Sequence, residues 1–134
     1  MKSKSRISVM ALLAFGVWAA CWASDIYVTP NGEMTEKQKE MLSALNSDKA
    51  EVRAKAAEKL GVQCCKQAVD HLVQMMKTDD VASVRIIAAN ALWKIGEARA
   101  VAAIKEQAKV DKNKTVRTTL TAIADRFEKG EKAG

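Results

Sequence analysis

The stretch from Gly61 to Met76, GVQCCKQAVDHLVQMM, carries five side chains capable of soft-metal or thiol chemistry: Cys64, Cys65, His71, Met75 and Met76. Thiolate, imidazole and thioether are all suitable ligands for copper. His71 and Met75 stand four residues apart, so a helix would place them on one face. Cys64 lies seven residues before His71, which is about 10 Å along a continuous helix. One ion could take both only if the intervening turn folded back. The second chemistry is redox. Adjacent cysteines cannot reach the separation of an ordinary disulfide without distorting the peptide, so a Cys64–Cys65 bond would be strained and easily reduced. The chain contains no CxxC and no second histidine. We therefore assign no metal site and no cofactor. The plainer role of these residues is structural, with Met76 in an apolar stripe, Met75 and His71 near its edge, and the two cysteines filling a tight turn.

The elements that must position these residues come from an internal repeat. VRAKAAEKLG starts at Val52, VRIIAANALW at Val84 and VRTTLTAIAD at Val116, so the period is 32 residues both times. In the same register Leu60 falls on Leu92, Ala68 on Ala100, Val69 on Val101, Leu72 on Ile104 and Asp79 on Asp111. Val84, Ala88, Ala91, Leu92 and Ile95 form one helical stripe. Asp80 or Ser83 is placed to cap that helix and Gly96 to end it. ARAVAAIKEQAKV, from Ala98, forms a second amphipathic helix. Thr35 and Gln38 stand in capping-box spacing ahead of another, and Val116 to Phe127 forms a last one. Proline is absent after Pro30 and no stretch alternates like a strand. The expected fold is all-α, an α-solenoid of stacked helix pairs with about six helices.

The N-terminus is a different kind of sequence. MKSKSR is basic, the next fifteen residues are uncharged and largely apolar, and Cys21 and Ala23 are small residues ahead of a cleavage before Ser24. This is the layout of a secretory signal peptide. An apolar run of that length makes a helix of roughly 22 Å, short of the roughly 30 Å hydrocarbon core of a bilayer. Ala19 and Ala20 before Cys21 would also suit lipidation of that cysteine, and only then would the domain be held at a membrane. We thus expect an exported protein, periplasmic or secreted, organised as a signal peptide 1–23, a flexible segment 24–34, a repeat domain 35–128 and a polar tail 129–134. Within the domain the expected units are a half unit 35–46, units 48–77 and 80–110, and a half unit 112–128. Removal of Lys2, Lys4 and Arg6 lowers the formal charge from +6 to +3. The remaining charges of both signs are interleaved, which with export argues against a nucleic-acid partner.

The period, VRxxAAxxL in the first helix and AV opening the second, resembles the HEAT-like repeats of phycobilisome lyases, a subclass of the HEAT superfamily. The resemblance covers about residues 48–127 and speaks to packing more than activity. It implies that Arg53, Arg85 and Arg117 form a structural ladder with acidic partners such as Asp79 and Asp111. It also brings in bilin or other tetrapyrrole handling as the family's enzymatic option. The second unit keeps the usual turn as GEARAV from Gly96, whereas the first has CCKQAV.

Two surfaces are candidates for a partner. Ile86 and Trp93 are seven apart and replace small or polar residues of the neighbouring units, so they could form an apolar patch; Trp93 could instead cover a gap beside Gly61. On the second helices the solvent side should carry Asp70, Gln74 and Lys77 in one unit and Glu106 and Lys109 in the next. That face is mixed in charge and lacks aromatics, which suits a protein or peptide. No Gly-rich phosphate loop, nucleophile–base pair or paired carboxylates can be found. The expected function is an exported, non-enzymatic interaction or scaffold module, with self-association as one way to complete so short a solenoid. The alternatives are thiol-redox or copper handling through Cys64, Cys65, His71 and Met75, or a lyase-like tetrapyrrole protein.

Overall fold

A computed structural model describes residues 32–131 of the 134-residue chain. The expected signal peptide and Cys21 lie outside the described residues. Among the described residues six α-helices follow one another: α1 (Glu36–Ala44), α2 (Ala50–Val62), α3 (Val69–Thr78), α4 (Ala82–Ile95), α5 (Ala98–Val110) and α6 (Lys114–Glu128), with a 3-10 turn at Lys66–Ala68 before α3. They form the all-α repeat solenoid expected from the period. α2, α4 and α6 make one layer and α3 and α5 the other, with α1 packed on α2.

Local chemistry sets the helix ends. Thr35 and Gln38 form the capping box of α1, each side chain bonded to the other's N–H. Asn113 caps α6 by accepting from the N–H groups of Thr115 and Val116. The expected cap on α4 is different: Val81 is its N-cap and no side chain caps it directly. Instead Asp79 Oδ1 accepts the Val81 N–H at 3.0 Å, an Asx-type turn just ahead of the helix. Gly96 ends α4 in the left-handed conformation, as expected.

The core is a continuous seam of small and branched aliphatics. Ala57, Leu60, Leu72, Met76, Ala88, Leu92, Ile104, Val116 and Leu120 are fully buried and join one cluster. Gly61 of α2 packs directly on Ala91 of α4. There a Cβ on Gly61 would lie 2.8 Å from Ala91 Cα, so the absence of a side chain sets the interaxial distance. No gap is left beside Gly61 for Trp93 to cover.

The helices pair across the unit boundaries read from the period. Among sequence neighbours, α3 packs chiefly on α4, α5 on α6 and α1 on α2, while α4 and α5 touch only slightly. The segments expected as half units, 35–46 and 112–128, are therefore members of hairpins with close partners. No described helix is long and apolar enough to cross a membrane.

Candidate functional site

The turn after α2 holds the cysteines. Cys64 N–H bonds the Gly61 carbonyl at 3.1 Å and Cys65 N–H bonds that of Leu60 at 3.0 Å, the paired bonds of a Schellman ending. Cys64 sits at the left-handed position with φ 49°, where its counterpart in the next unit is Gly96 at 75°. A non-glycine residue there costs about 1 kcal/mol. Cys64 is disulfide-bonded and Cys65 is a free, buried thiol. The two cysteines are therefore not joined to each other, and Cys65 lies in the core. Burial pushes the Cys65 thiol up, which disfavours the reactive thiolate.

Further along, His71 is exposed on α3 whereas Met75 and Met76 are both buried. Met75 therefore lies inside the core and not at its edge. Among the described residues no group of three or more His, Cys, Asp or Glu side chains gathers where a metal ion could be held. A cleft of about 190 Å³ between α2 and α4 is lined by Glu58, Ile87, Asn90, Ala91 and Lys94. That volume is below the roughly 300–1,000 Å³ of small-molecule sites.

Ile86 and Trp93 are part-buried and packed against the core. The C-terminal end of α6 covers Trp93: Arg126 lies over its ring at 5.4 Å, and the indole Nε1 donates to the Glu131 carbonyl at 3.2 Å. Trp93 is therefore partly covered by residues of the chain itself.

The face of α3 and α5 is open. Asp70, Gln74, Lys77, Glu106 and Lys109 are all exposed. Three of them are engaged across the two helices. Arg99 Nη1 donates to Asp70 Oδ1 at 2.9 Å, and Lys77 Nζ lies 3.4 Å from Glu106 Oε2. Lys66 and Glu97 add a third pair at 3.3 Å. Such exposed pairs contribute about 0–1 kcal/mol each, so a partner can displace them at little cost. Arg99 carries no surface signal of its own in the sequence because it stands in the GEARAV turn, whose residue types are a packing signature. Its spacing of 29 residues from Asp70 was the available signal.

At the C-terminal ends of α3 and α5 runs the arginine ladder. Arg85 donates from Nε to Asp111 Oδ2 at 2.8 Å and from Nη2 to Oδ1 at 2.9 Å. The pair is deeply buried, with side-chain exposures of 2% and 1%. Gln107 and the Asn113 N–H also donate to Asp111. Burial works to raise the Asp111 carboxyl, but bonds from Arg85, Asn113 and Gln107 outweigh it and hold the group at about 2. Arg53 grips Asp79 in the same two-point way at 2.7 and 2.9 Å, and Asp79 is likewise held below the usual carboxylate range against the pull of burial. The ladder fixes the spacing of stacked helices and hence the shape of the α3–α5 face.

A family model described as HEAT repeats matches residues 39–124. No curated protein and no solved structure matches the chain.

Proposed function

The chain belongs to the HEAT-repeat family, and on that premise we propose that it is an exported, non-enzymatic interaction module whose α3–α5 face receives a protein or peptide. HEAT repeats are commonly protein–protein scaffolds, and solenoids use extended surfaces of stacked helices for binding. The observation that carries the reading is the contrast on this molecule between a buried, doubly bonded arginine frame and an exposed face joined only by weak ion pairs. A rigid frame limits the ordering cost of binding, and displaceable pairs supply polar contacts at low cost. Mixed charge without an exposed aromatic favours a polypeptide over a nucleic acid. Export rests on the basic and apolar layout of residues 1–23. Tethering to a membrane would require lipidation of Cys21.

A photo-crosslinking residue in place of Gln74, in the full chain expressed in its own cell, should give a discrete protein adduct, and one at Lys55 on the opposite layer should not. The mature protein should be recovered outside the cytoplasm with Ser24, or an acylated Cys21, as its first residue. Equal, diffuse labelling from both positions would end the binding-face reading, and a chain retained inside with Met1 intact would end the export reading.

A further inference from the structure

Three arginines share one register and make the same first contact. Nη1 of Arg53 donates to the Ser47 carbonyl at 2.8 Å, that of Arg85 to the Asp79 carbonyl at 2.8 Å, and that of Arg117 to the Asp111 carbonyl at 2.7 Å. The other two points of the fork, Nε and Nη2, meet a carboxylate at Arg53 and Arg85. At Arg117 those two groups meet no acceptor among the described residues, and the side chain is part-exposed. The guanidinium is thus oriented by its backbone bond with two donors still open.

The charge around it is one-sided. Residues 109–117 carry Lys109, Lys112, Lys114 and Arg117 against Asp111 alone, which is buried and bound to Arg85 and Gln107. The corresponding residues 77–85 carry Lys77 and Arg85 against Asp79 and Asp80. Lys109, Lys112 and Lys114 are all exposed.

We propose that the open fork of Arg117 docks a carboxylate side chain of an acidic protein segment, in the place that Asp79 and Asp111 take at the two closed rungs. The neighbouring lysines supply the attracting field. The inference rests on the reading of this chain as an interaction module and adds a second contact point with a stated chemistry. A carboxylate is favoured because the molecule itself shows that group in this fork twice, with two-point geometry that suits a planar acceptor. Thr118, Thr121, Ala122 and Asp125, exposed on α6, offer no ring for base stacking. Val110 is an isolated exposed apolar side chain beside the cluster, well short of a membrane-binding face.

The test is fluorescence anisotropy of the full-length mature chain with a labelled, amidated peptide containing six Asp residues. The matching Asn peptide, a 20-nucleotide single-stranded DNA and vesicles containing phosphatidylglycerol serve as rivals. The Asp peptide should bind, more weakly as salt rises. Arg117→Lys, which keeps the charge and loses the fork, should weaken it about tenfold. Lys55→Gln, an exposed position on α2 away from both surfaces, should leave it unchanged. Should Arg117→Lys lower the melting temperature sharply, the exposed pair Lys112→Gln with Lys114→Gln decides in a chain whose fork is intact, with a loss of about threefold expected. The proposal is overturned by equal binding to wild type and Arg117→Lys, by equal binding of the Asn peptide, by an unchanged affinity in the lysine pair variant, or by tighter Arg117-dependent binding of DNA or vesicles. A Gln74 adduct without Asp-peptide binding would defeat this inference and leave the module reading intact. Peptide binding through Arg117 without a Gln74 adduct would uphold this inference and defeat the α3–α5 face as the binding surface.

Discussion

The connectors at one end of the helices and the turns at the other follow different rules. At the connector end the residues 47, 79 and 111 repeat their geometry almost bond for bond. Each side chain accepts the N–H two residues on, at 3.3, 3.0 and 2.9 Å. Each carbonyl takes the guanidinium six residues on. At the other end, the turns after α2 and α4 share a left-handed residue and little else. One has Cys64, a Schellman pair of bonds and a 3-10 turn; the other has Gly96 and goes directly into α5. The contrast shows what a repeat is obliged to keep. A buried guanidinium and carboxylate have few ways to satisfy every donor and acceptor, and an unsatisfied one is costly. A left-handed turn requires only a residue that tolerates positive φ, and more than one type can supply it.

Breaking the connector end should have the largest effect. Arg85→Ala leaves Asp111 buried without its cation and should destabilise the fold by about 3–5 kcal/mol in urea unfolding. Arg53→Ala breaks the same set of bonds in a more open site, where side-chain exposures are 16% and 5%, and should cost about 2 kcal/mol, between the surface and buried limits. Equal losses would show that burial does not grade the rungs.

Acid should act on the same rung. The Asp111 carboxyl is depressed in the folded chain to about 2 from an ordinary value of 3.8. Its contribution is therefore fully present above the unfolded value and is lost as pH falls from about 5 toward 2, by about 2 kcal/mol in all. Unfolding followed between pH 7 and pH 2 should show this loss, and Asp111→Asn should flatten it while lowering stability at neutral pH. A flat profile in the wild type would break the assignment.

The turn end should respond least. Gly96→Ala places a Cβ at φ 75° and should cost about 1 kcal/mol. Cys64→Ala, measured in reductant so that the disulfide does not contribute, replaces one strained non-glycine residue by another. It should lose only the packing of a small thiol, about 0.5–1 kcal/mol. If Cys64→Ala cost more than Gly96→Ala in reductant, the two turns would not be the same backbone position filled in two ways.

Much of the frame was legible because it repeats. The spacing of Val52, Val84 and Val116 gave the period, and the arginine ladder followed from the family resemblance. Thr35 and Gln38 announced their cap because that motif is local, complete within four residues. The candidate site was less legible. Ile86 and Trp93 looked exposed on a helical wheel because the wheel has no knowledge of Arg126 and Glu131, which lie 33 and 38 residues beyond the tryptophan and cover it. Asp70 and Lys77 were placed on the open face, but their engagement with Arg99 and Glu106 depends on how closely α3 and α5 lie.

The sequence by itself determined the helices, their period and which side of each is apolar. These depend on 3.6-residue spacing and on residue types within a turn or two, all of which are local along the chain. Tertiary structure alone decided which helices pair most closely, how Gly61 and Ala91 set the α2–α4 distance, that Cys64 and Cys65 are not bonded to each other, and that Arg117 keeps two donors open among the described residues. Each of these is a distance between groups far apart in sequence, set by how side-chain volumes and buried hydrogen bonds are satisfied together when the layers close.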